Sequence, residues 1–185
     1  SKGIEVVTHP FTWQKYNLEK EKWDTLLLYL RKRGYKANFP GIGFHVHTTK
    51  AAWGNSQIHR LLKFIYGNKS FILQIAQREP NQYCVMDNKD FDEAVLVAKD
   101  KKNRSRDHYS TVNLNNGTGQ SSETVEFRMF QGTLEPFYLH KNMEFVHACW
   151  NFTREYVHTD VRAFNIFVGA HKKMYPCLFE FMKGV

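Results

Sequence analysis

A chain of 185 residues, 42% apolar and 15% aromatic with 15 Phe, is long enough for one domain with a substantial core and too aromatic for a disordered segment. Its formal net charge of +8 favours an acidic partner, such as nucleic acid, a phosphorylated ligand or another protein's acidic face. The cysteines Cys84, Cys149 and Cys177 are odd in number, scattered and without a C-x-x-C pair, which argues against a disulfide framework or a structural zinc. No apolar run reaches membrane-spanning length, and the polar start does not resemble a signal peptide, so the expected setting is the cytoplasm.

In chain order, residues 3–8 read as a short strand stopped by Pro10. Asn17 is placed to cap a helix running to about Arg33, with Trp23, Leu26, Leu27 and Leu30 on one stripe and Gly34 as its stop. Residues 43–49 alternate apolar and polar, the period of a strand with one face in the core. Asn55 or Ser56 opens a long helix to about Arg78, with a break near Gly67. A brief strand over 83–87, a short helix over 91–97, a basic loop over 99–107 and a strand over 109–114 follow. The turn Asn115-Asn-Gly-Thr-Gly119 leads into a second alternating strand. Pro136 starts a helix to about His158, with Phe137, Leu139, Met143, Val146 and Trp150 as its core stripe, and a last helical segment covers about 170–182. This order predicts one α+β domain over 1–185: an antiparallel sheet with helices packed on one face and the other face open to ligand.

Two strands carry the chemistry. In Gly43-Phe-His-Val-His47 the apolar Phe44 and Val46 point one way and His45 and His47 the other. In Thr124-Val-Glu-Phe-Arg-Met129, Val125, Phe127 and Met129 take the core side while Glu126 and Arg128 share the opposite face. Two imidazoles, a carboxylate and a guanidinium on rigid strands are the candidate catalytic group: His45, His47, Glu126 and Arg128. A lone His-x-His is commonly a surface strand, and an exposed Glu–Arg pair stabilises little; their coincidence on two strands of similar polarity favours function. Lys50, Lys99, Lys101, Lys102, Arg104 and Arg106 are candidates for phosphate or nucleic-acid contacts, although a charge run is commonly just a solvated face and no nucleic-acid-binding motif is present.

Four segments in order, Gly3-Ile-Glu-Val-Val-Thr-His-Pro10, Gly43-Phe-His-Val-His47, Tyr109-Ser-Thr-Val-Asn-Leu114 and Thr124-Val-Glu-Phe-Arg-Met-Phe-Gln-Gly-Thr-Leu134, resemble the amidoligase family of phages and mobile elements. That family is grouped with glutamine synthetase among the carboxylate–amine ligases. The resemblance implies a sheet face that binds ATP and Mg²⁺ or Mn²⁺, with His47 and Glu126 as metal ligands, His45 or His47 near metal or phosphate, and Arg128 on the transferring phosphate. Family members open with a strand of paired acidic residues, whereas Glu5 is the sole acidic residue of the first strand here. The first expectation is therefore a repurposed amidoligase-fold protein of a bacterial host cell that engages RNA, DNA or a nucleoprotein complex such as a guide-RNA nuclease, as a metal-dependent nuclease or an anti-CRISPR-like inhibitor. The alternatives are an ATP- and Mg-dependent carboxylate–amine ligase, or a fragment of one, and an inactive protein-binding module.

Overall fold

In the computed structural model, which describes residues 4–39, 41–81, 84–86, 110–116 and 123–185, Thr12 starts the first helix. Its hydroxyl accepts from the Lys15 amide at 3.1 Å, the bond that satisfies an otherwise orphaned N-terminal N–H. Helix α1 is Trp13–Leu18. The predicted cap Asn17 lies inside it and donates to the Trp13 carbonyl. The chain breaks at Glu19 and resumes as α2, Lys20–Lys32. Gly34, at φ +84°, ends the helix as expected, because only glycine takes that backbone without a Cβ penalty.

Residues 4–12 form no strand and lie exposed. The reason is the ladder: among the described residues no neighbouring strand takes up their N–H and C=O groups, and an unpaired strand has nothing to hold it extended. Strand β1 is Gly43–Thr49, followed by a single 3₁₀ turn over Lys50–Ala52. Helices α3, Asn55–Gly67, and α4, Lys69–Ala76, replace the single long helix, with the predicted break falling at Asn68. Asn81 with Cys84, and Val85 with Ser110, make isolated bridges where a brief strand was predicted. The helix expected over 91–97 and the basic loop over 99–107 lie outside the described residues. Strand β2 is Val112–Asn116 and β3 is Thr124–Gln131.

Pro136, at the first helical turn where its missing N–H costs nothing, opens α5, Pro136–Glu155. Two helices close the chain, α6, Val161–Ala170, and α7, Pro176–Met182. The first of them begins earlier than predicted, because Asp160 caps it by accepting from the Ala163 amide.

The sheet is antiparallel in the order β1–β3–β2, so the architecture is α+β, as the pattern of elements implies. Val125, Phe127 and Met129 turn into a core shared with Ile58, Leu61, Ile65, Ile72 and Ile75 of α3 and α4 and with Phe145, Cys149 and Phe152 of α5. Phe64, Phe152 and Phe164 meet there edge-on or tilted, the arrangement that ring quadrupoles prefer. A register shift between Phe44 and Val46 sets two β3 residues against His45 and breaks the alternation, so that Phe130 joins the core beside Phe44. Helix α5 runs through the centre of the helical layer and is buried on several sides, which overturns its expected single stripe: Phe137 is exposed, while His140, Lys141, Asn142 and Glu144 are buried. All three cysteines are free.

Candidate functional site

Strand pairing brings the four catalytic candidates together. His47 of β1 lies opposite Glu126 of β3, and Glu126 lies opposite Asn113 of β2, so three polar side chains line up across the sheet. Glu126 is the hub. Its Oε1 accepts from Arg128 Nη1 at 2.7 Å and faces His45 Nδ1 at 3.3 Å and His47 Nε2 at 3.7 Å, while its Oε2 accepts from Asn113 Nδ2 at 2.9 Å. His47 also meets the Thr124 hydroxyl at 3.1 Å through Nδ1.

The face is less open than the alternation implies. Glu126 is 2% exposed and Arg128 9%, while both imidazoles sit at the solvent rim. β3 is the central strand, flanked on both sides, so its polar residues are enclosed where those of an edge strand would be wet. Burial by itself would raise the Glu126 carboxyl, but the hydrogen bonds from His45 and Asn113 and the charges of Arg128 and His47 outweigh it and hold the group down to about 2. It is a carboxylate at any physiological pH. His47 is lowered, because the cost of desolvating an imidazolium exceeds the pull of Glu126.

Two partners escaped the sequence reading. Asn113 carried a usable signal, since it is the polar member of the alternating Val112-Asn113-Leu114. Arg78 carried none, being the end of a helix pattern. Its Nη1 donates to the Arg128 carbonyl at 3.3 Å, and it lies beside His45 over Gly43, where an added Cβ would stand 2.6 Å from Arg78 Nη1 and 2.8 Å from His45 Nε2. A side chain at this position would have to displace the guanidinium and imidazole ends that close over the strand. The site therefore sets two guanidiniums, Arg78 and Arg128, and two imidazoles against one carboxylate, an excess of positive charge suited to an anionic group.

Lys50 is turned to a tying role: its Nζ donates to the Leu114 carbonyl at 2.9 Å and pairs with Glu123 at 3.1 Å, joining the end of β1 to both other strands. Lys99, Lys101, Lys102, Arg104 and Arg106 lie outside the described residues.

The fit to a divalent cation is poor within the described residues. Mg²⁺ and Mn²⁺ take hard oxygen ligands, often more than one carboxylate. Here the sole carboxylate of the cluster spends one oxygen on Arg128 and the imidazoles and the other on Asn113. Among the described residues no group of three or more His, Cys, Asp or Glu is arranged to hold a metal ion.

A second polar network lies on α5, at residues outside its expected apolar stripe. His140 hydrogen-bonds Asp24 through Nε2 at 2.7 Å and the Tyr16 hydroxyl through Nδ1. Glu144 pairs with Lys20 at 3.2 Å and accepts from the Leu178 amide at 2.8 Å, at the start of α7. These bonds tie α1, α2 and α7 to α5. Lys141 points into the core with its ammonium on the Ile75 carbonyl and near the Phe181 ring, and burial pushes it down to about 7.

A family model described as "Putative amidoligase enzyme" matches residues 1–150, a span that contains every residue of the strand cluster. No curated protein and no solved structure matches the chain. No described helix is long and apolar enough to cross a membrane.

Proposed function

The chain belongs to the amidoligase family, and from that premise we propose that it takes part in ATP-dependent carboxylate–amine ligation, as a ligase or as the strand-cluster portion of one. The observation that carries this reading is the charge balance around Glu126: a buried, permanently ionised carboxylate locks Arg128 in place, and Arg78, His45 and His47 add donors beside it. Ligation of this kind proceeds through an anionic, phosphorylated acyl group, and ATP supplies the phosphoryl that makes the carboxylate a good electrophile. A guanidinium held by a carboxylate needs no reorganisation when such a charge arrives, which is how preorganised donors stabilise a transition state. His45 and His47, at the solvent rim, receive the incoming group, and His47, disposed to stay neutral, can take a proton from an attacking amine.

The family match supports this ligase reading and gives no support to the nuclease or inhibitor readings. Hydroxylamine provides the test, because it intercepts any activated carboxylate as a hydroxamate. The protein is incubated with ATP, Mg²⁺ or Mn²⁺, hydroxylamine and a panel of amino-acid and dicarboxylate substrates. ATP-dependent hydroxamate and phosphate release are expected, falling by roughly 10²-fold or more in Arg128→Gln. Absence of both products over the whole panel, in a folded protein, overturns the reading.

A further inference from the structure

The charge of this chain is segregated. Between Asp24 and Glu79 there is no acidic residue, while nine Lys or Arg fall in that stretch; the rest of the chain holds 17 basic residues against 18 acidic ones. The entire net positive charge therefore resides in the segment that forms most of α2, β1, α3 and α4. Part of it is used internally. Arg31 pairs with Glu135 at 2.8 Å, Lys50 with Glu123, and Arg78 belongs to the strand cluster. Lys32, Arg33 and Lys36 are exposed and, among the described residues, have no carboxylate within ion-pair distance.

These three cations are interleaved with exposed rings. Tyr29, Tyr35 and Phe39 are 52%, 45% and 51% exposed, high values for side chains with this much apolar area. Tyr29 and Lys32 fall at i and i+3 of α2, with the C-cap Arg33 at i+4, hence on one face, and the Arg33 guanidinium lies 5.1 Å from the Tyr29 ring centre. The left-handed Gly34 then folds the chain back, with the Tyr35 amide bonded to the Leu30 carbonyl at 3.2 Å, so Tyr35 and Lys36 stay against the end of the helix. The segment is anchored at both ends. Arg31 holds α2 to Glu135 before α5, and Gly132 at the end of β3 receives the Ala37 carbonyl and Ile42 so closely that a Cβ would stand 2.5 Å from the former.

We propose that this surface, Tyr29, Lys32, Arg33, Tyr35, Lys36 and Phe39, docks single-stranded nucleic acid. Cations with no carboxylate partner among the described residues meet backbone phosphates, and rings of this kind stack on unpaired bases, the combination by which sequence-tolerant single-strand binders work. An acidic protein would satisfy the cations but leaves three exposed rings without a matching chemistry. The proposal is independent of the ligase reading, since none of these residues belongs to the strand cluster.

The experiment is fluorescence anisotropy of the full chain with labelled oligo-dT and oligo-U of about 15 nucleotides, titrated across salt. The variant Lys32→Gln/Arg33→Gln/Lys36→Gln is expected to lower the slope of log K against log salt by about 2, at about 0.7 per lost phosphate contact. Tyr35→Ala/Phe39→Ala is expected to weaken binding by roughly tenfold or more with the slope unchanged. All five substitutions fall on exposed side chains, so circular dichroism and melting should match the parent, and hydroxamate formation should persist in both variants. Three results overturn the proposal: no binding of either oligonucleotide at low salt, binding unaffected by the charge variant, or an aromatic variant that binds like the parent while poly-glutamate competes equally well. The last assigns the surface to acidic proteins.

Discussion

Replacing Glu126 with Gln tests whether the strand cluster is a coupled electrostatic unit. The carboxyl is held from an ordinary 4.5 down to about 2, a shift worth roughly 3 kcal/mol of stability at neutral pH at 1.36 kcal/mol per pKa unit. Glu126 is 2% exposed, so solvent screens little of this. The substitution also leaves the buried Arg128 without its carboxylate, and breaking one side of a buried pair costs about 3–5 kcal/mol, of which the titration-linked part is already most. A loss of roughly 3–5 kcal/mol, or about 6–20 °C in Tm for a chain of this size, is the expectation. The sign follows from the depressed pKa: the contribution is fully present above about pH 4.5 and disappears as pH falls through about 2. Urea denaturation of parent and variant, followed by tryptophan fluorescence from pH 7 downward, reads the difference directly. The gap between the two proteins should be constant above about pH 5 and close towards pH 2. A gap under about 1 kcal/mol at pH 7, or one that does not narrow with acid, refutes the coupling of Glu126 to Arg128 and the imidazoles.

Three further outcomes are expected. Lys141 is fully buried and its ammonium is pushed down to about 7 by burial, so the charged form opposes folding below neutrality and stability should rise from about pH 7 towards 10.5; Lys141→Met should abolish that rise and stabilise the protein by about 2–4 kcal/mol at pH 6, measured by denaturant titration. Gly132→Ala places a methyl against the Ala37 carbonyl and Ile42, and a loss of about 1–3 kcal/mol by thermal melting, with faster proteolysis near residues 35–42, is expected. Glu144→Ala removes the acceptor for the Leu178 amide and the partner of Lys20; hydrogen exchange should show α7 losing protection first, with a global loss of about 2–4 kcal/mol.

The helix patterns show where sequence reading succeeded and where it failed. The break near Gly67, the stop at Gly34 and the start at Pro136 follow from local chemistry and were legible. The strand over residues 3–8 was not, because alternation describes a strand's faces and says nothing of whether a neighbour exists to pair with it. Helix α5 differs for a related reason: an apolar stripe implies one covered side, whereas this helix is covered on several, so the charged Lys141 and Glu144 are among its most buried residues.

Local sequence is enough to place His45 and His47, and Glu126 and Arg128, on shared strand faces, since a period of two is a property of each strand alone. It also determined the segregation of charge. The fold alone makes the two strands neighbours in the register that sets His47 opposite Glu126, completes the row with Asn113 and brings Arg78 from the end of a distant helix. It also decided that Glu126 and Arg128 are enclosed, because exposure depends on a strand's place in the sheet. The physical reason is one of range: side-chain direction is set by bonds within a few residues, whereas burial, and with it the ionisation of Glu126 and Lys141, is set by groups far away in the chain.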